Sequence, residues 1–429
     1  MRTINVGLVG LGTVGSGVVE ILQRHREHFA VRAGVDLALV RCADRDPARA
    51  EALGLGSDVF TTDIADIIGD DSIDIVIELI GGTGIARTVV LDALTAGKTV
   101  VTANKALMAT HGHEVLDAAA AAGVDVMFEA SVGGGIPIIG PLKHALVSNE
   151  ILAVYGIVNG TTNYMLTRMA EDGLDYATAL AEAQARGFAE ADPTADVDGL
   201  DAAAKVAILA SIAFNSRVNL ADVPAEGIRS ITPGDIAYAH EAGYVIKLVA
   251  IGKRTPAGID VRVQPTMIRA DHPLAKVNGV YNAIYVVGDS VGETMFFGEG
   301  AGSLPAASAV VGDVIEAARQ IDRGCTGIVG CTCTESLPVR DIADLVSAYY
   351  IRLHVADQPG VLAAVAGIFA ECGVSLASVI QKSTDDGGGA EIVWITHEAA
   401  ERDIRRALAS IEALDVVDAV GCVLRVEEL

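Results

Sequence analysis

The chain has 429 residues, half of them hydrophobic and 46 of them glycine. That is enough for two or three domains with sizeable cores, and it suits an α/β enzyme better than a disordered or fibrous protein. The formal charge of −25, with no basic stripe, excludes nucleic acid as a partner, because a polyphosphate needs clustered Lys and Arg; the acidity is spread along the chain and reads as solubility.

No apolar run approaches the ~20 residues needed to cross a bilayer, so no membrane partner is expected. Met1 leads almost at once, after Arg2 and Thr3, into INVGLVGLG, a strand and turn rather than a charged, cleavable leader. A cytoplasmic location is the expectation.

The first ~130 residues alternate short apolar strands with helical patterns, as in a parallel sheet flanked by helices. Strands are expected at Ile4–Val9, Leu37–Cys42, Ile73–Leu79, Thr99–Val101 and Val124–Phe128, with helices such as Val14–His25 and His113–Ala122. The run VGLVGLGTVGSGV carries Gly10, Gly12 and Gly15 in GxGxxG spacing after a strand and into a helix. Glycines there permit a tight turn and close backbone approach to a pyrophosphate, which the helix amino terminus then receives. The expected domain is 1–137, a Rossmann-type nucleotide fold. The second strand ends in LVRCADRD. Asp44 stands where an acid would accept the ribose 2′-hydroxyl of NAD, while Arg41 and Arg45 suit the 2′-phosphate of NADP. NADP use with some tolerance of NAD is expected.

From 138 to 323 long Ala-rich helices (Tyr176–Arg186, Gly199–Phe214, Pro305–Arg323) mix with alternating strands such as YVIKLVAIGKR and IDVRVQP. This predicts an α+β domain on a mixed or antiparallel sheet. In the helix from Gly199, Asp201 and Lys205 lie four apart on one face. That face continues to Ile208, Leu209 and Ile212, so the pair points toward apolar surroundings, where an ion pair needs a reason. Glu190 and Asp196 arrive on a loop anchored by Gly187 and Pro193. Converging acids hold a cationic group well, and an α-amino substrate supplies one. Lys105, in VVTANKALM, sits past a strand's carboxyl end, where doubly wound sheets bind ligands. Two lysines beside a nicotinamide point to proton transfer at a carbonyl or alcohol oxygen.

Residues 324–348, with Cys325, Cys331 and Cys333, read as a linker of ordinary reduced thiols, since no zinc-type spacing is present. Beyond it, 349–429 follow a β-α-β-β-α-β order.

The stretch AQARGFAEADPTADVDGLDAAAK, with Gly187, Asp192, Pro193, Asp196, Gly199, Asp201 and Lys205, is similar to the homoserine dehydrogenase signature. GLVGLGTVG, ELIGG, TANKALM, FEASVGGGIPII, GIVNGTTNYML and GEGAGSLPAASAVVGD agree, so the resemblance covers most of 1–323. It implies Lys205 as proton donor and acceptor, with Lys105 assisting at the reacting oxygen. Glu190 and Asp201 would hold the substrate's amino group, Asp196 supporting them, and Thr161 would meet its other end. Gly10, Gly12, Thr13, Val14, Gly15, Asp44, Arg45, Thr102, Lys105, Gly187 and Gly302 would line the cofactor, and helix 303–323 would pack back on the nucleotide domain. FEASVGGGIP looks like the family's monovalent-cation loop, with the Glu129 carboxylate and the backbone oxygens of Val132, Gly134 and Ile136 around a structural sodium ion.

The implied reaction is NAD(P)H-dependent reduction of L-aspartate 4-semialdehyde to L-homoserine, reversible, in threonine, methionine and isoleucine biosynthesis. With the nucleotide fold at the start of the chain, a monofunctional enzyme is expected rather than one fused to aspartokinase. YYIRLHVADQPGVLAAVAGIFAECGVSLASVIQK resembles the start of an ACT domain, which implies feedback by threonine and pairing of modules. A homodimer is expected, with a tetramer through paired ACT modules as the larger alternative. The rivals are another amino-acid dehydrogenase, such as one acting on aspartate, and a non-catalytic sensor of dinucleotide and amino acid.

Overall fold

The computed structural model describes residues 2–32, 34–327, 330–383 and 389–428. The nucleotide domain runs β1 (Thr3–Val9), α1 (Thr13–Arg32), β2 (Asp36–Ala43), α2 (Pro47–Ala52), β3 (Phe60–Thr61), α3 (Ala65–Ile68), β4 (Ile75–Glu78), α4 (Ile85–Thr95), β5 (Thr99–Thr102), α5 (Lys105–Ala122) and β6 (Val126–Met127). All six strands are parallel, in the order β3-β2-β1-β4-β5-β6. The order reverses between β1 and β4, which opens a crevice at their carboxyl ends. β4 and β5 are buried end to end, as expected for strands covered on both faces.

The next segment holds α6 (Ile139–Lys143), β7 (Ile151–Ile157), α7 (Gly160–Asp172), α8 (Tyr176–Ala185), α9 (Thr194–Val197), α10 (Leu200–Ala213), α11 (Pro233–Glu241), β8 (Tyr244–Thr255), β9 (Gly258–Arg269), β10 (Tyr281–Gly288), β11 (Gly292–Glu299) and α12 (Ser303–Asp322). Its strands are antiparallel, in the order β11-β10-β7-β8-β9. One face packs on α10, whose residues from Asp201 to Leu209 are all buried. α12 returns to the nucleotide domain: Val310, Val311, Val314 and Ala318 share a core with Val18, Val19 and Leu22 of α1. Gly17 makes that crossing possible, since a Cβ there would come within 2.8–2.9 Å of Ser303 and Ala307.

The last module comprises β12 (Val346–Ala356), α13 (Val361–Glu371), β13 (Leu376–Ser383), β14 (Gly389–Thr396), β15 (Ala399–Ala400), α14 (Glu401–Glu412) and β16 (Val417–Glu427). Its sheet has the order β16-β12-β14-β13, and β16 also pairs in parallel with β9. The module therefore extends the catalytic sheet, a junction that the sequence reading did not anticipate.

The linker also differs from a free tether. Isolated bridges Ser216↔Glu335 and Ile259↔Val339 strap it across the catalytic domain. Cys325, Cys331 and Cys333 carry free, half-buried thiols. Among the described residues no helix is long and apolar enough to cross a membrane.

Candidate active site

The nucleotide loop follows the glycine argument. Gly10 has φ of +102°, and a Cβ on Gly15 would lie 2.0 Å from the Gly10 carbonyl oxygen. At Gly12 the nearest atom to such a Cβ is the Arg49 guanidinium, 3.8 Å away. The fold itself leaves this space open, as a cofactor pyrophosphate requires. Thr13 and Val14 begin α1 and present its amino terminus to that space. A cavity of about 320 Å³ lies alongside, lined by Gly10, Gly12, Asp44, Arg45, Asp46 and Arg49 among others. These residues fit a dinucleotide.

Asp44 is more engaged than the sequence suggests. Its Oδ2 accepts from the Leu11 N–H (2.7 Å) and its Oδ1 from the Asp46 N–H (2.9 Å). Desolvation opposes ionisation, but these two bonds and the nearby Arg49 and Arg45 hold the carboxyl below the usual range. Arg49, missed in the sequence, lies 3.5 Å from Asp44 and 3.7 Å from Asp46. Its signal was its position in the first turn of α2, close behind the strand end.

The centre of the site is the Asp201 carboxylate. Oδ1 accepts from Lys105 Nζ (2.8 Å) and Oδ2 from Lys205 Nζ (2.7 Å). Lys205 Nζ also donates to the Val158 carbonyl (2.6 Å). Gly199, at φ +79°, starts α10 so that Asp201 falls in its first turn and Lys205 one turn later. Lys105 comes from the nucleotide domain, just after β5, where the Asn104 side chain caps α5. The two lysines, 100 residues apart, thus converge on one carboxylate at the crevice. Burial alone would raise the Asp201 carboxyl; the two ammoniums outweigh it and hold it far below its ordinary value. An ammonium has three N–H donors. Lys205 uses two in the described contacts and Lys105 uses one, which leaves donors for a substrate oxygen.

The other acids divide. Asp196 accepts from Asn159 Nδ2 (2.7 Å), and the same nitrogen reaches Asp201 Oδ2 (3.0 Å). Glu190 is exposed, and no described hydrogen bond or ion pair joins its side chain to Asp201 or either lysine; its carbonyl accepts from Gln184. Thr161 donates to the Phe188 carbonyl (2.6 Å), so its hydroxyl pins the acid-bearing loop. Thr102 is fully buried; its hydroxyl donates to Glu78 Oε2 (2.7 Å) and accepts from the Asn104 N–H (3.0 Å). It shapes the loop before Lys105 and its side chain does not line the cofactor crevice. Glu78, which also accepts from the Ile80 and Gly81 N–H groups, is the buried residue that ties both crevice loops together. Gly187 and Gly302 have φ of +75° and +124° at the ends of α8 and the start of α12.

In the expected cation loop, the Glu129 carboxylate accepts from the N–H groups of Ile138 (2.5 Å), Ile139 (2.7 Å) and Gly140 (2.6 Å). It caps α6. A cation there would fall mainly to the backbone carbonyls of Val132, Gly134 and Ile136, on a turn where a Cβ at Gly134 would lie 2.4 Å from the Gly300 oxygen.

A dinucleotide crevice beside a two-lysine, one-carboxylate cluster points to a class: nicotinamide-dependent dehydrogenases. Three family models match, described as Homoserine dehydrogenase, NAD binding domain (10–129), Homoserine dehydrogenase (137–315) and ACT domain (349–416). The chain is 47% identical to a homoserine dehydrogenase of Synechocystis over 99% of both chains. With that of Corynebacterium glutamicum it shares 45% over 99% of this chain and 96% of the relative. A crystal structure of the Thiobacillus denitrificans homoserine dehydrogenase superposes with a TM-score of 0.94 at 42% identity, covering 100% and 99% of the chains. A hyperthermophilic archaeal homoserine dehydrogenase in complex with NADPH superposes at 0.64 and 28%, over 74% of this chain and 98% of that one. The chain belongs to the homoserine dehydrogenase family: it is an oxidoreductase that binds a nicotinamide cofactor and carries an ACT module.

Proposed function

We propose that the protein interconverts L-aspartate 4-semialdehyde and L-homoserine, with Lys205 as the proton donor and acceptor. The observation that carries this reading is the single Asp201 carboxylate shared by Lys105 and Lys205 at the crevice. A bound nicotinamide supplies or accepts the hydride. In the reducing direction Lys205 gives a proton to the aldehyde oxygen, while Lys105 donates a hydrogen bond to that oxygen as negative charge develops. Asp201 and the Val158 carbonyl fix the Lys205 ammonium, and the dry apolar flank of α10 strengthens these contacts. Asp196 and Asp201, joined by Glu190 from its exposed loop, receive the substrate's α-ammonium.

Arg45 and Arg49 at the adenosine cavity favour NADP, since both Asp44 oxygens already serve backbone N–H groups. The Glu129 carboxylate and the backbone oxygens of Val132, Gly134 and Ile136 hold a structural sodium ion. A homodimer forms through β11, an outer strand with one partner among the described strands, where Met295 and Phe297 are exposed beside Tyr281 of the adjoining β10. The opposite outer strand, β13, with exposed Val379 and Ile380, suits pairing of ACT modules and a tetramer. Threonine at such a pair lowers activity, and the enzyme serves threonine, methionine and isoleucine synthesis.

Steady-state assays with L-homoserine and L-aspartate, each with NAD and NADP and with millimolar threonine, test this reading. It requires turnover of homoserine, preference for NADP and inhibition by threonine. Turnover of aspartate alone would overturn the substrate assignment.

A further inference from the structure

We propose that Asn159 is a positioning residue that clamps Asp196 and Asp201 into one anionic seat and keeps Asp201 aimed at Lys205. This rests on the reading of that cluster as the substrate site. Asn159 follows β7 and caps α7: its Oδ1 accepts from the Thr162 N–H (2.9 Å) and the Thr162 hydroxyl (2.8 Å). These donors fix the amide orientation, because a flip would set donor against donor and a carbonyl against two carboxylates. The nitrogen side therefore faces the acids, 2.7 Å from Asp196 Oδ1 and 3.0 Å from Asp201 Oδ2. Among the described contacts no other side chain bonds to the Asp196 carboxylate. The preceding residue, Val158, supplies the carbonyl that holds Lys205. Two consecutive residues at one strand end thus set the ammonium, the carboxylate and the second acid at fixed spacing.

Two carboxylates sharing one donor repel each other. Without the amide, Asp196 has no described side-chain contact to keep it beside Asp201, and the seat for an α-ammonium opens. Lys105, Lys205, Asp196 and Asp201 are the charged groups of the cluster, so an added anion at position 159 would also stabilise the lysine ammoniums.

Asn159→Asp separates the two jobs of this residue, because Asp caps a helix about as well as Asn but gives no donor to the acids. The expected result is a KM for homoserine raised at least about tenfold, as for loss of one hydrogen bond to a charged group, with the KM for NADP within about twofold. In homoserine oxidation the acid limb of kcat/KM moves to higher pH by roughly one unit, since the base now holds its proton more tightly. Asn159→Ser keeps a capping oxygen without adding charge; its KM rises but the acid limb stays. If Asn159→Asp fails to fold, the serine variant carries the test. An unchanged homoserine KM in either folded variant overturns the proposal, and so do both KM values rising in step with a lowered Tm. Undiminished turnover by Lys205→Ala would instead sink the site itself, whatever Asn159 does.

Discussion

Two buried carboxylates show what separates a chemical centre from a structural joint. Asp235, in the first turn of α11, meets Arg352 of the ACT module in a two-pronged pair at 2.7 and 3.1 Å. It also accepts from the Tyr350 hydroxyl (2.9 Å), the Thr232 N–H (2.8 Å) and the Thr232 hydroxyl (2.7 Å). Both partners of that pair are sealed, at 0% and 4% side-chain exposure. Asp201 is nearly as buried at 8%, yet its partner Lys105 is 45% exposed, and the lysines keep donors in reserve. A saturated network has nothing left to offer a ligand; an unsaturated one beside a crevice does. The Asp235 joint is repeated nearby by Arg425 with Glu401 and Glu226, and by Arg262 with Glu427 and Asp260, so the module is riveted to the catalytic sheet. Deleting it would bare the β9 edge and several charges, and would not isolate regulation.

The contrast breaks most visibly at Lys205. Lys205→Ala is expected to lower homoserine oxidation roughly 10²- to 10⁴-fold, the range for loss of a general acid–base group, with a smaller drop in Tm than Asp235→Ala because Lys105 still pairs with Asp201. The Asp235→Ala protein should behave the opposite way. Removing one partner of a buried pair costs about 3–5 kcal/mol of stability, read in denaturant titrations, while KM for homoserine in the folded protein stays within about twofold. Equal losses of turnover in both variants would erase the distinction.

A smaller effect belongs to Lys247, a buried ammonium whose bonds go to Asn163 Oδ1 (3.1 Å), the Val277 carbonyl (2.6 Å) and Asn278 Oδ1 (3.0 Å), all neutral groups. Burial lowers it to about 8. Above that pH the native lysine has lost its proton while the unfolded one keeps it to about 10.4. The unfolded state then binds more protons, so this contribution to stability rises from pH 8 toward 10 and is constant below 8. The wild type should gain on Lys247→Met across that window, by no more than about 3 kcal/mol, in paired denaturant titrations at pH 7.5 and pH 9.5. The smallest effect is expected at the solvent-facing Arg87–Glu114 pair on α4 and α5, where Arg87→Ala should leave Tm and turnover unaltered because water screens the pair.

Much of this was legible because it is local. The GxGxxG turn, the alternation of β1, β2, β4, β5 and β6 with helices, and the four-residue step from Asp201 to Lys205 follow from spacing alone, whereas the two-residue β3 carried too little pattern to see, and α10 is buried on every side rather than on one face. The helix boundaries were less clear: α5 begins at Lys105 rather than His113 because Asn104 caps it, a side-chain bond that apolar periodicity does not report. What escaped the sequence depends on distant partners. Asn159 stood unremarked inside the motif GIVNGTTNYML, and its bonds cross 37 and 42 residues to the acids. Gly227 carried no signal, although a Cβ there would lie 2.1 Å from the Val197 carbonyl oxygen, against the loop that carries Asp196. The β9–β16 pairing joins Thr266 to Arg425, and hydrophobic patterning cannot choose a neighbour at that range.

The most direct measurement is a crystal structure of the protein with L-homoserine and an oxidised nicotinamide cofactor bound together. The expected result is the substrate hydroxyl within hydrogen-bond reach of Lys205 Nζ, and the α-ammonium on the Asp196–Asp201 side. A hydroxyl held by other groups, with Lys205 turned away from it, would contradict the account.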